Sequence, residues 1–243
     1  MSTTITTAFV QQFSSNIAML SQQMGSLLRS SVDVESVNAE KAFFDQVGVA
    51  AAVARTTRNS DTPLMDTPHT RRMVTMTDYE YADLIDSQDK IRMLADPTST
   101  YARAAAAAMG RAMDDVIIAA MHGTAKTGAS GATSVSFPAA QQIAHGSAGL
   151  TIAKLLSAKE ILDANSVDPS IPRYLVASPK QMSDLLGTTQ VTSSDFNTVK
   201  SLVQGQIDSF MGFKFISSNR LPHNGTSRQV FAYASDGLKV AIG

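Results

Sequence analysis

Residues 96–123 read DPTSTYARAAAAAMGRAMDDVIIAAMHG, and this stretch predicts one long helix with a boundary signal at each end. Asp96 can cap the first free amide groups, Pro97 suits a first helical turn, and Gly123 can end the helix. The alanine-rich interior favours helix without adding bulk. At ~1.5 Å per residue the helix is about 39 Å long, well above the usual three turns. Such a rod, in a chain without a recognisable catalytic motif, predicts a structural strut.

The composition limits the class of protein. The 243 residues are enough for one large domain or for two smaller ones that share a sheet. Twenty basic and twenty-one acidic residues give a net charge of −1, which does not favour binding of nucleic acid or membrane through total charge. The chain has no cysteine, so disulfides, thiolate metal sites and thiol nucleophiles are excluded. No apolar run is long enough for a membrane helix and no secretory leader is recognisable, so we expect a cytoplasmic protein without membrane association.

An apolar stripe runs through the first part of the chain. Its members recur every three or four residues, as on one face of a helix: Phe9, Phe13, Ile17, Leu20, Met24 and Leu27. The residues between them are mostly serine, glutamine and asparagine. Two interpretations stay open, a first helix packed in the subunit's own core or an arm that lies on a neighbouring molecule.

Residues 48–78 predict a long β-hairpin. Gly48–Arg55 and Thr70–Thr77 both have the composition of extended strands, and residues 59–69 between them contain two prolines and two aspartates, as turns do. A two-stranded hairpin with so few bulky apolar side chains is marginal without a partner surface. It is either a surface arm of a monomer or an arm that lies over the next subunit.

From Leu150 onward helices and strands alternate, which predicts an α+β domain. One amphipathic helix covers residues 150–165, and Ser178 with Gln181 forms the signature of a capping box that starts another. The remaining predicted elements are a helix over about Asp195 to Val203 and strands at Arg173–Ala177, Phe213–Ser217, Gln229–Ala234 and Leu238–Ile242. Asp236-Gly237 predicts a tight turn between the last two strands.

No catalytic or metal-binding pattern is recognisable, so we expect no enzyme, no metal and no cofactor. The four histidines lack zinc-site spacing, and the glycine-rich residues 123–135 lack the lysine of a phosphate loop and predict a plain loop. Three aspartates in residues 83–89 do not have the spacing of a calcium loop. Asp114 and Asp115 point about 100° apart on the helix, and Arg111 is expected to pair with Asp115.

Residues 61–120 closely resemble the major capsid proteins of tailed bacteriophages. They read DTPLMDTPHTRRMVTMTDYEYADLIDSQDKIRMLADPTSTYARAAAAAMGRAMDDVIIAA. Three further segments share the resemblance, in order along the chain: TAFVQQFSSNIAMLSQQMGSLLR, YLVASPKQMSDLL and VQGQIDSFMGFKFISSNRLP. The resemblance therefore covers nearly the whole sequence.

This resemblance implies the Hong Kong 97-type coat fold. The family's parts would be an N-terminal arm at 1–30, a P-domain at 31–149 with an E-loop (48–78) and a spine helix (97–122), and an A-domain with returning strands at 150–243. Members usually continue through another P-domain strand beyond the position of Gly243. We therefore expect either a short coat protein or a sheet completed in another way.

The implied function is that of a major capsid protein, which self-assembles as hexamers and pentamers into the icosahedral head that encloses the genome. Assembly would occur in the host cytoplasm and the product would be the virion capsid. Implied partners are a scaffolding protein, the portal, a cement protein, and packaged DNA bound non-specifically on the inner face. The alternatives are a soluble enzyme of unknown chemistry and a phage tail or decoration protein, which the missing motifs and the spine helix respectively disfavour.

Contacts between subunits are expected from the N-terminal arm and the hairpin. The candidate residues are Phe9, Phe13, Leu20, Arg55, Arg58, Arg71 and Arg72. Residues 55–72 carry four arginines and two aspartates, hence a net charge of +2 on an otherwise balanced protein. The hairpin is therefore predicted to dock on an acidic surface of a neighbour, with Arg71 and Arg72 foremost.

Overall fold

The computed structural model describes residues 22–54, 57–58, 61, 64–82, 98–187, 209–225 and 227–243. The chain divides into two compact bodies, of which the first comprises residues 1–27 and 78–114 and the second comprises residues 28–77 and 115–243. The predicted long helix, α1, spans Thr98–His122, so the division falls within it. Within the described ranges, no helix is both long and apolar enough to cross a membrane.

Only the C-terminal boundary of α1 can be compared with the boundary that the sequence predicts. The expected cap Asp96 and the first-turn Pro97 lie outside the described residues. The C-terminal end is confirmed, because the helix ends at His122, directly before Gly123. The ring of His122 stacks on Phe231 with 5.8 Å between the ring centroids, which fixes this end in the second body.

The expected ion pair between Arg111 and Asp115 is wrong. Arg111 Nη1 donates instead to Gln22 Oε1 at 2.7 Å and to the Gln23 carbonyl at 3.2 Å. Asp115 accepts a two-pronged contact from Nε and Nη2 of Arg220. A planar guanidinium that contacts both oxygens of one carboxylate forms a stronger contact than an ion pair along one helix face. Asp115 therefore pairs with Arg220, which is distant in sequence, and not with Arg111.

A four-stranded sheet forms the centre of the second body. Its strands, in sheet order, are β11 (Phe231–Ala234), β6 (Arg173–Ala177), β8 (Phe213–Ser217) and β7 (Ser209–Phe210). The strands β6 and β8 run parallel, whereas β11 and β7 are antiparallel to their neighbours. The predicted strands β6 and β8 are confirmed at the residues named above, and the predicted Gln229–Ala234 strand is shortened by two residues.

Helices α2 (Ile152–Ala164) and α3 (Pro179–Leu186) supply apolar side chains to this sheet. The predicted capping box is confirmed, because Ser178 accepts from the Gln181 amide and Gln181 Oε1 accepts from the Ser178 amide. The apolar residues of α2 do not all face the core, since the Leu156 side chain is exposed whereas Leu155 is buried. The helix expected over Asp195 to Val203 lies outside the described residues. The buried core consists of Leu150, Leu155, Leu175, Ala177, Leu185 and Phe213.

A second four-stranded sheet has the order β2 (Lys41–Val47), β3 (His69–Thr75), β4 (Ala125–Thr127) and β5 (Thr133–Val135). The plain loop predicted after Gly123 is therefore wrong, because it contains the β4–β5 hairpin. Gly131 in that hairpin has φ +71°, and an added Cβ there would lie 2.3 Å from the Met73 sulfur. Glycine thus allows both the turn and its close packing on β3.

The last strand, β12 (Lys239–Ile242), pairs in parallel with β1 (Asp33–Ser36). The hairpin predicted at Asp236-Gly237 is wrong, because β11 and β12 belong to different sheets and a 3-10 turn joins them. Lys239 Nζ lies 2.9 Å from Asp33 Oδ2 and 2.5 Å from Glu35 Oε1, so charges on β1 reinforce this pairing. A short antiparallel pair, β9 (His223–Asn224) with β10 (Ser227–Arg228), completes the described strands.

Candidate assembly surface

The β2–β3 hairpin carries the candidate site. Its two strands pair antiparallel over seven residues each, from Lys41 opposite Thr75 to Val47 opposite His69. The predicted second strand is thus confirmed within two residues, but the predicted first strand at 48–55 is wrong. Residues 48–54 are not in a strand, because the residues with a cross-strand partner are those of β2.

The chain between the paired strands, residues 48–68, together with Val47 at the end of β2, forms what we call the arm tip. No described residue of the arm tip is buried. It nevertheless exposes five apolar side chains, with Val49 89% and Leu64 fully accessible: Val47, Val49, Val53, Leu64 and Met65. Single exposed apolar residues are ordinary, but several along one segment are typical of an interaction surface.

Charged and aromatic side chains join the two strands close to the arm tip. Arg71 Nε and Nη2 donate to the two oxygens of Asp45, at 2.5 Å and 2.9 Å, across β2 and β3. The guanidinium also lies 5.5 Å from the centre of the Phe43 ring. The hydrogen bond from Arg71 lowers the pKa of the Asp45 carboxyl below its ordinary value. The pair's contribution is therefore complete above the ordinary carboxyl pKa and is lost as the pH falls through the lowered one.

The predicted contact residues fall in different surroundings. Phe9, Phe13, Leu20 and Arg55 lie outside the described residues, so their role stays a prediction. Arg58 is exposed to solvent on the arm tip. Arg71 and Arg72 are adjacent on β3, but their side chains are directed to opposite faces of the sheet because neighbours in a strand alternate. Arg72 is half-buried, with a buried Nη1 that has no hydrogen-bond partner in the described part of the chain.

Charge reversal of Arg71 distinguishes a role within the subunit from a role between subunits. Arg71→Glu is expected to speed amide exchange in β2 and β3, because it places two carboxylates opposite each other. The swap of Asp45→Arg with Arg71→Glu should restore slow exchange by restoring the pair. If Arg71 also contacts an acidic neighbour, the swapped protein will still assemble poorly. Assembly of the swapped protein at the parent rate would contradict that contact.

Sequence reasoning missed the apolar character of the arm tip. The signal was present as two valines among alanines in GVAAAVAR, which we interpreted as a strand rather than as an exposed surface. Among the described residues, no group of three or more histidine, aspartate or glutamate side chains could hold a metal ion. The five exposed apolar side chains of the arm tip are suited to binding another surface through apolar contact, and the Asp45–Arg71 pair joins the strands beside it.

Solved structures with the same arrangement are phage capsids. The capsid of the cyanophage P-SCSP1u matches with a TM-score of 0.66 at 17% identity, covering 93% of this chain and 72% of that one. Mycobacterium phage Che8 matches with a TM-score of 0.64 at 16% identity, covering 96% and 83%. The mature capsid of bacteriophage PhiM1 gives 0.63 at 15%, covering 93% and 77%. These likenesses confirm the α+β Hong Kong 97-type coat fold.

A comparison of the sequence with protein-family models identifies the family of this chain. The model of the family described as phage capsid protein matches residues 5–243. This chain therefore belongs to the phage capsid protein family, and its place is the virion capsid. A search of curated proteins finds no match.

Proposed function

We propose that this chain is the major capsid protein of a tailed double-stranded DNA bacteriophage and forms the icosahedral head from hexamers and pentamers. Its role is structural rather than enzymatic. The observation that carries the proposal is the arm tip, because a segment with five exposed apolar side chains and no described buried residue needs a partner surface. In a shell, that partner is another copy of the chain.

The energetics of docking support this role for the arm tip. Burying five apolar side chains of this size is worth on the order of 5–10 kcal/mol before the cost of association is subtracted. One such contact is weak, but a closed ring links the contacts and raises their effective concentration. Many modest contacts thereby give a cooperative shell.

Each part of the coat fold is assigned to a range of residues in this proposal. In this proposal residues 1–30 form the N-terminal arm, 31–149 the P-domain with its E-loop and spine helix, and 150–243 the A-domain with returning strands. The arm stripe of Phe9, Phe13 and Leu20 would contact a neighbour. Arg55 and Arg58 would add charge contacts on the arm tip. The accessible parts of the Arg71 and Arg72 side chains would contribute further contacts.

Other partners follow from the same role. A separate scaffolding protein would guide closure, a portal would occupy one vertex, and a cement protein would reinforce the lattice. Packaged DNA would touch the inner face non-specifically, since a net charge of −1 provides no strong attraction. Assembly would take place in the host cytoplasm.

The proposal is tested by the oligomeric state of the purified protein. Light scattering and negative-stain microscopy at rising concentration, with and without scaffolding protein, should show capsomer rings and closed shells. A protein that stays strictly monomeric at high concentration with scaffold present would contradict the proposal. Stacked tubes or rings that never close would favour a tail protein instead.

A further inference from the structure

A buried aspartate on α1 holds the segment that precedes the second body. Asp114 is completely buried and lies at the inner face of the helix in the first body. Its Oδ2 accepts from Gln23 Nε2 at 2.6 Å and from the Leu27 amide at 3.1 Å, and its Oδ1 accepts from the Ser26 hydroxyl at 2.5 Å. Three donors from residues 22–27 thus converge on one carboxylate.

A second helix residue extends the same attachment. Arg111 donates to the Gln22 side chain and to the Gln23 carbonyl, one turn before Asp114. Residues 22–27 themselves contribute no buried side chain, and Met24 and Leu27 are exposed. Among the described residues the attachment is therefore polar and uses the side chains of Arg111 and Asp114, so the loss of either removes several bonds at once.

Gly110 leaves room on α1 for residues 22–27, and we call the part of the helix from Gly110 to Asp114 the seat. Gly110 lies in the middle of α1, where glycine is unfavourable relative to alanine. An added Cβ at Gly110 would lie 2.4 Å from the Gly25 carbonyl carbon and 2.8 Å from the Ser26 amide nitrogen. Gly25 has φ +77°, a left-handed conformation that suits glycine. The two glycines permit a backbone contact that no larger residue allows.

We propose that residues 22–27 form a polar latch that closes on the Gly110–Asp114 seat and opens as one unit without unfolding α1. Elements held by few apolar contacts are those that open first in native proteins. Closure fixes Gln22 and Gln23 against α1, and residues 1–21 precede them in the sequence. Under the proposed capsid function, on which this consequence rests, opening would release the N-terminal arm to reach another copy.

Hydrogen exchange of the full-length unassembled chain tests the latch directly. Gly110→Ala and Asp114→Ala should each speed amide exchange in residues 22–27 at least tenfold, while residues 101–122 keep their parent rates. Ser26→Ala removes one of the bonds described here between residues 22–27 and Asp114 and should give an intermediate rate. Met109→Ala, an exposed position beside Gly110, is the matched control and should exchange as the parent does.

Two results would overturn the latch. Parent-like exchange in residues 22–27 of both Gly110→Ala and Asp114→Ala would show that the seat does not hold the segment. Faster exchange in residues 101–122 together with residues 22–27, in Ser26→Ala as well, would show that the segment is an inseparable part of the helix packing. Because these measurements use free subunits, they are independent of whether shells form. Shell formation by the parent, measured separately, tests the proposed function alone.

Discussion

Aspartate at both Val49 and Leu64 is expected to abolish shell formation while leaving the subunit folded. Both side chains are exposed in the subunit, so the double variant should keep the parent's circular-dichroism melt. In a docked arm tip the two carboxylates would instead lose their hydration against an apolar surface, at a cost of several kcal/mol per contact. Since every subunit repeats the penalty, the yield of shells in light scattering should fall at least ~100-fold.

The matched control for this variant is Leu156→Asp. Leu156 is an exposed leucine on α2, outside the arm tip, so it receives one carboxylate of the same kind at an exposed apolar position. The control should assemble with the parent's yield. Shells from the Val49 and Leu64 double variant at that yield would remove the arm tip from the assembly interface.

The largest expected effect on stability comes from Phe213→Ala. Phe213 is completely buried in β8 and belongs to the core between the central sheet and its helices. Truncation leaves a cavity that the surrounding side chains only partly fill, so the free energy of unfolding should fall by about 3–5 kcal/mol. Domains typically have only ~5–15 kcal/mol in total, so this loss reaches a large part of the margin. Urea unfolding followed by circular dichroism gives the value.

Phe137→Ala is the control for that measurement, because Phe137 lies exposed in the chain after β5. Its effect should stay within about 0.5 kcal/mol. A loss below 1 kcal/mol for Phe213→Ala would mean that the central sheet does not form the core described above.

Elements with strong local signals could be predicted from the sequence. The helix α1 follows from an alanine-rich interior that ends at glycine, and α3 follows from the Ser178 and Gln181 capping box. The strand β6 is apolar from Leu175 to Ala177 and is buried at four of its five positions. In each case the residues that specify the element lie within the element or next to it, so no distant partner was needed.

Elements specified by distant partners could not be predicted in this way. GVAAAVAR has the composition expected of an extended strand, yet the strand opposite β3 is β2, because register depends on pairing and not on local composition. The turn residues Asp236 and Gly237 indicated a hairpin, but β12 pairs with β1 instead. The candidate surface shows the same limit: sequence located the arm, whereas only the structure shows that its valines are exposed.

The pairing of β1 with β12 also sets a time order for folding. At about 5–20 residues per second, roughly 10–40 s of synthesis separate the first strand from its partner ~200 residues later. During that interval β1 has an open edge, and the contact finally formed is among those with the greatest loop-closure cost. A nascent chain therefore lacks one sheet of the second body until β12 has emerged. Completion of the subunit is thereby delayed until the last residues have been synthesised, and the open edge of β1 is available to other chains until then.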